Sequence, residues 1–234
     1  MRAIWTILMV VLAALTASAQ LDRASRRQPS LAAIVPPPMR TFAQERTTMA
    51  TVRSAPPAVA LAESIVLTER SPLPAEHLTL LSIARERSGD RVGSGETIQR
   101  AAQRGWRDPI AQQVMFEIAL SAGDRAEASR RLAALIGTQE EQAPIKDMTK
   151  RLLSVPEGRK AMASALVGGG NWTRAFLSGA ASDTSPAMVE TVAEALRGGA
   201  KIECRTAAVV TRIYQQQNIA FDPALFERCT KRRV

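Results

Sequence analysis

Histidine, tyrosine and cysteine are the rarest residues with chemistry to offer in this 234-residue chain, with one His, one Tyr and two Cys. His77 leaves no second imidazole for a multi-histidine metal site, and no spare partner for a histidine-based triad. Two cysteines are too few for a zinc knuckle. The expectation is therefore no metal, no cofactor, no catalytic residue and no enzyme. Aromatics are scarce as well, with three Trp and five Phe besides the Tyr. A basic stripe interleaved with aromatics, which would suit nucleic acid, is missing, and no nucleic-acid partner is expected. Alternating β-branched runs are also missing, which excludes a sheet as the main framework.

What is present begins with an export signal. Arg2 supplies the positive start, and Ile4 to Leu15 is apolar except for Thr6. Ala17-Ser18-Ala19 then offers small residues at the positions a signal peptidase reads. Residues 1–19 are read as a signal peptide, with a signal anchor as the alternative. The uncharged stretch Ala3 to Gln20 is at the short edge of what spans a bilayer, roughly 17–25 residues. The expected location is periplasmic, or inner-membrane anchored with the body in the periplasm. In that compartment Cys204 and Cys229 are expected to pair. One lies near the start of a helix and the other near the end of the next, so an antiparallel arrangement makes them neighbours.

The formal charge of +9 is unevenly spread. Residues 20–60 carry six Arg against Asp22 and Glu45, whereas residues 61–234 carry 24 basic and 20 acidic residues. The excess sits before the body and at Lys231-Arg232-Arg233. Residues 20–58 read as a Pro/Arg-rich disordered linker, punctuated by Pro29, Pro36-Pro37-Pro38 and Pro56-Pro57. A weak contact with anionic membrane or polymer through 20–58 is a further expectation.

From Ala58 the pattern becomes one of short amphipathic helices, about eleven in all, forming a helical-repeat domain over 59–234. Val59 to Leu67 is a weak first helix. Pro74 opens a second, and a third runs from Ser94 to Arg104. Asp108-Pro109 is a strong start signal. The helix after it carries Ile110, Val114 and Ile118 on one face, with Ala111, Met115 and Ala119 beside them. The next places Ala128, Leu132, Leu135 and Ile136 on one face and stops at Gly137. Pro144, Pro156, Ser185-Pro186 and Asp222-Pro223 open later helices. Trp172 and Phe176 lie one turn apart on a short helix, and Glu203 to Gln217 forms another.

Gly89-Asp90-Arg91 recurs 34 residues later as Gly123-Asp124-Arg125. The flanks keep register: Ser94 aligns with Ala128, Ile98 with Leu132, Ala101 with Leu135 and Ala102 with Ile136. A Gly-Asp turn reverses the chain, a small residue after it allows close approach, and a large apolar residue one turn later fills the gap. Residues 75–137 thus resemble two degenerate tetratricopeptide repeats, helix–turn–helix units of this period. The chain is similar to exported helical-repeat proteins of alphaproteobacterial type. Two departures stand out. Gln112 occupies the usual place of a large aromatic, and Phe116 that of a small residue.

The resemblance implies an all-α, right-handed α-solenoid of short antiparallel hairpins. It implies a scaffold that holds a peptide or partner helix, here an adaptor for an envelope protein in polysaccharide or protein export. Gln112, Gln113, Phe116 and Glu117 are the candidate groove residues, with Trp172 as an aromatic anchor. The competing readings are an envelope enzyme acting on peptidoglycan and a tether held through the basic linker. For the enzyme, Glu63-Ser64 is the only Glu-Ser pair of the kind lytic transglycosylases need, and no lysozyme-like domain follows it. Gly93-Ser94-Gly95 lacks the ending and preceding strand of a phosphate loop. His77 is expected in a first turn, half exposed.

Overall fold

A computed structural model of the chain describes residues 2–138 and 142–230. The basic cluster Lys231-Arg232-Arg233 lies outside these described residues. The described protein is all-α, with helices packed pairwise in chain order. Its one β feature among the described residues is an isolated parallel bridge between Glu203 and Thr230. The chain divides into two compact units, one ending at Gly105 and the other beginning at Trp106. That boundary falls between the two repeat hairpins.

The first unit opens with α1 (Arg2–Ser25), a helix long and apolar enough to cross a membrane. Such a helix serves as a signal or an anchor. Two 3-10 segments follow, Pro29–Ile34 and Pro37–Met39. Then come α2 (Phe42–Ser54), α3 (Pro57–Arg70), α4 (Ala75–Arg87) and α5 (Arg91–Arg104). The region 20–58 is therefore largely helical, which corrects the expected structureless linker. The prolines act as helix starters rather than breakers. Pro29, Pro37 and Pro57 each stand in a first turn, where a missing N–H costs no intrahelical bond. Ala43 and Val52 of α2 are buried, and α2 packs on α3 and α4.

The second unit contains α6 (Pro109–Ser121), α7 (Arg125–Thr138), α8 (Gln142–Leu153), α9 (Pro156–Gly168), α10 (Trp172–Gly179), α11 (Pro186–Arg197), α12 (Cys204–Gln216) and α13 (Ala224–Glu227). Helix α7 is the hub, touching α6, α8, α9 and α10. One continuous apolar core runs from Phe116 to Phe226 and includes Leu132, Leu135, Leu152, Met162, Leu166 and Tyr214. Tyr214, Phe221 and Phe226 pack edge to face, with ring centroids 5.4–6.2 Å apart. Cys204 and Cys229 form a disulfide. Backbone bonds Cys204 N to Thr230 O and Thr230 N to Ile202 O lie beside it. The pairing expected from the cysteine count is present.

The Gly-Asp turns show why the sequence repeats them. Gly89 and Gly123 both take positive φ, +87° and +78°. In each, the Asp N–H reaches back to the carbonyl five residues earlier: Asp90 to Arg85 and Asp124 to Ala119. That is the αL helix stop of a Schellman turn, which favours Gly. The same Asp then caps the next helix, accepting from Gly93 N or Glu127 N at 2.9 Å. One dipeptide ends one helix and starts the next.

Candidate functional site

Helix α6 is the place where the sequence reading placed most of its binding residues. Asp108 starts it, its carboxylate accepting from Ile110 N and Ala111 N at 3.1 and 3.3 Å. The structure turns the helix the other way from the simplest reading of its apolar rows. Ala111 and Ala119 face the core, while Ile110, Val114 and Ile118 face out at 48, 37 and 46 % exposure. Close packing of α6 on α7 explains this. Small residues at the crossing, with Ala128 on α7, let the backbones approach, and Phe116 fills the remaining space. A second row of branched side chains would not fit there. Trp106, four residues before Ile110, is 54 % exposed, with the Arg107 guanidinium 4.9 Å from its ring centre.

The five candidate residues separate accordingly. Phe116 is fully buried and belongs to the core. Gln112 is also buried, and its carbonyl accepts from Arg131 of α7 at 3.0 Å. These two are corrections to the expected groove. The two departures from the repeat pattern compensate each other: Phe116 supplies the bulk, and Gln112 uses its position for a polar contact. Glu117 is engaged in a two-pronged pair with Arg151 of α8, both bonds 2.7 Å. That pair raises the Arg151 pKa. Gln113 is exposed. Trp172 is half-buried, edge-on to Phe176 with centroids 6.1 Å apart. A Cβ placed on Gly137 would meet the Trp172 Cβ at 3.3 Å. Trp172 thus helps seat α10 on α7 while part of its ring stays exposed.

Beneath the α6 face lies a charged contact that sequence reasoning did not single out. Glu127 accepts from Arg130 and Arg131 at 2.8 and 2.7 Å. Burial pushes the Glu127 carboxyl up, but its bonds and attraction to the two arginines outweigh that, so its pKa ends below the ordinary value. The spacing Glu127–Arg131 on one helix was a legible signal.

Elsewhere in the second unit, a cleft of about 760 Å³ opens between α8, α10 and the start of α11. Its apolar floor includes Ile145, Phe176 and Met188, and Lys146, Lys150 and Asp183 stand on its walls. Tyr214 is buried with no hydrogen-bond partner for its hydroxyl among the described residues. Burial, aided by the Asp183 charge, pushes its pKa up to about 12.

In the first unit, His77 is buried rather than half exposed. Its Nδ1 is 2.8 Å from Ser71 O and its Nε2 3.8 Å from Glu45, so it joins α4 to α2 and to the loop after α3. Ser64 is fully buried and donates to Ala60 O, while Glu63 accepts from Gln44 at 2.7 Å. The Glu63-Ser64 pair is thus tied into helix packing. Among the described residues, no group of three or more His, Cys, Asp or Glu side chains is placed to hold a metal ion. Set against family models, curated proteins and solved structures, the chain matches none of them.

Proposed function

We propose that this chain is an exported helical-repeat adaptor of the cell envelope, and that its second unit holds a partner protein along the exposed face of α6. The observation that carries the reading is the row Ile110, Val114 and Ile118, with Trp106 exposed in the turn before the helix. Three branched aliphatics spaced four residues apart on the helix, and the tryptophan ahead of it, are left in water. An exposed apolar row of this kind, rimmed by polar side chains, marks an interaction surface. Gln113 and the Glu117–Arg151 pair supply the polar rim. The repeated Schellman-and-cap turn, 34 residues apart, supports a tetratricopeptide-like, right-handed solenoid as the finer description. In such arrays the first helix of each hairpin lines the groove, and α6 is a first helix. An amphipathic helix of the partner, with its own i, i+4 apolar anchors, is the complement that fits.

The periplasmic side is supported by the disulfide, which persists where the compartment is oxidising. Arg23, Arg26 and Arg27 after the apolar stretch outnumber Arg2 before it, so the charge bias of an uncleaved α1 runs against this side, and the disulfide carries the periplasmic reading. The pathway reading, polysaccharide or protein export, rests on the resemblance alone.

The test is photocrosslinking in living cells, with the crosslinking amino acid at Val114 and, as a control, at the exposed Ser164 of α9. One envelope protein captured from position 114 and not from 164 is the expected result. Val114→Glu should abolish that capture and leave the melting temperature within about 2 °C, as for an exposed site. A collapse of the fold in Val114→Glu, or equal capture from both positions, would overturn the assignment.

A further inference from the structure

The end of α1 is built into the body of the first unit, and this bears on the fate of the whole helix. The helix runs unbroken from Arg2 to Ser25, straight through Ala17-Ser18-Ala19. At that site its side chains bond along the helix: Thr16 to Leu12 O and Ser18 to Ala14 O, both 2.8 Å. Three residues after the potential cut, Asp22 is 5 % exposed. Its carboxylate accepts from Thr41 N at 2.9 Å, Phe42 N at 3.2 Å and Ala43 N at 2.9 Å. Those three donors are the start of α2, and no side chain of α2's own cap serves them. An anion there is doubly favoured, by the bonds and by the helix dipole. Ser25 is fully buried and donates to Asp22 O at 2.6 Å. Leu21 packs with Ala32, Val35, Met39 and Ala43.

We infer that α1 is retained as a transmembrane anchor, locked to the folded body by Asp22, with the first unit held at the bilayer surface. The span itself fits. Residues 3–20 make a helix about 27 Å long at 1.5 Å per residue, close to the roughly 30 Å of hydrocarbon. Ile4 to Leu15 is exposed on every side, so only lipid or other apolar helices can cover it. Cutting after Ala19 requires an unwound backbone, yet Leu21, two residues further on, is already packed. No linker separates the membrane from the body. Arg23, near the end of the helix, and Arg26 and Arg27, in the turn after it, are therefore set at the depth of the lipid phosphates. Arg26 also stacks over Phe42, 4.5 Å from the ring centre, fixing its place near the α2 start. Residues 20–58 act as a folded collar on the membrane, where the sequence alone suggested a disordered linker.

This inference does not depend on the α6 surface, and its test reads a different quantity. The full chain is expressed in its host, and the membrane and soluble fractions are digested with trypsin and analysed by mass spectrometry. The expected result is the peptide Ala3–Arg23 intact, in a membrane fraction that resists carbonate and high salt. A chain that begins at Gln20 and washes off the membrane would overturn the anchor. Asp22→Ala should raise the cleaved fraction about tenfold, because three buried donors lose their acceptor and the junction opens. Asp22→Asn, which keeps one acceptor oxygen, should fall between. Equal, low cleavage in all three would overturn the role of Asp22 as the lock. The Cys204–Cys229 disulfide, assayed in each variant, reports that the rest of the chain has folded.

Discussion

The two units solve the same packing problem with different materials. Of the fifteen buried polar or charged side chains among the described residues, ten belong to the first unit, including Gln44, Thr48, Ser82, Ser94 and Thr97. Its helices are joined by directed bonds. Ser82 of α4 meets Ser94 of α5 at 3.0 Å, and Arg85 reaches Thr97 at 2.8 Å. Arginines reach backbone carbonyls between elements: Arg87 those of Val52 and Ala55 at the end of α2, Arg70 that of Pro37, and Arg104 that of Pro72 in the loop before α4. The second unit instead buries Leu, Met, Phe and Tyr in one cluster and closes its end with a disulfide. Small residues and arginines give the first unit geometry at modest net energy, since a hydrogen bond contributes roughly 0.5–1.5 kcal/mol net of lost water contacts. Large apolar side chains contribute about 1.5–3 kcal/mol each and ask for no direction. The first unit should open more readily, and the second should hold its core.

The largest test of that contrast is the disulfide. Replacing Cys204 and Cys229 together by Ser frees a loop whose ends are 25 residues apart. The expected cost is about 3–4 kcal/mol. Hydrogen exchange should show protection lost over residues 202–230 and unchanged over 42–104. Equal loss in both segments would break the description of two separate cores.

Arg87→Met comes next. The methionine keeps the apolar stem and removes the guanidinium from the carbonyls at the end of α2. A loss of about 1 kcal/mol is expected, read as faster exchange in α2 and α4 only. No change would mean that water serves those carbonyls equally well.

The smallest effect is Tyr214→Phe. Its hydroxyl is buried without a partner among the described residues, so deleting it should raise stability by up to about 1 kcal/mol. The pH dependence gives a sharper readout. The folded pKa of about 12 lies above the ordinary 10.0, so the folded chain keeps its proton where the unfolded chain loses it. Stability of the wild type should therefore fall as pH rises from 10 towards 12. The Phe variant should lack that slope, as followed by thermal melts between pH 9 and 12.

The all-helical class and most helix starts were legible because their signals are local. Asp108-Pro109 and Ser185-Pro186 cap within three residues, and Gly-Asp carries its own turn. The missing pieces are non-local. Asp22 caps a helix start 19 to 21 residues away, so no local motif marks it as a cap.

What the sequence by itself determined is therefore most of the helices after residue 58, the 34-residue repeat of turns, the apolar first helix and the two cysteines available to pair. Backbone propensity, capping and the chemistry of Gly and Pro act over a few residues, and those residues are adjacent in the chain. Tertiary structure alone decided which face of each helix turns inward. On α6, two apolar rows were available, and the periodicity is the same for both. The close crossing with α7 admits only the alanines and Phe116. It therefore leaves Ile110, Val114 and Ile118 outside.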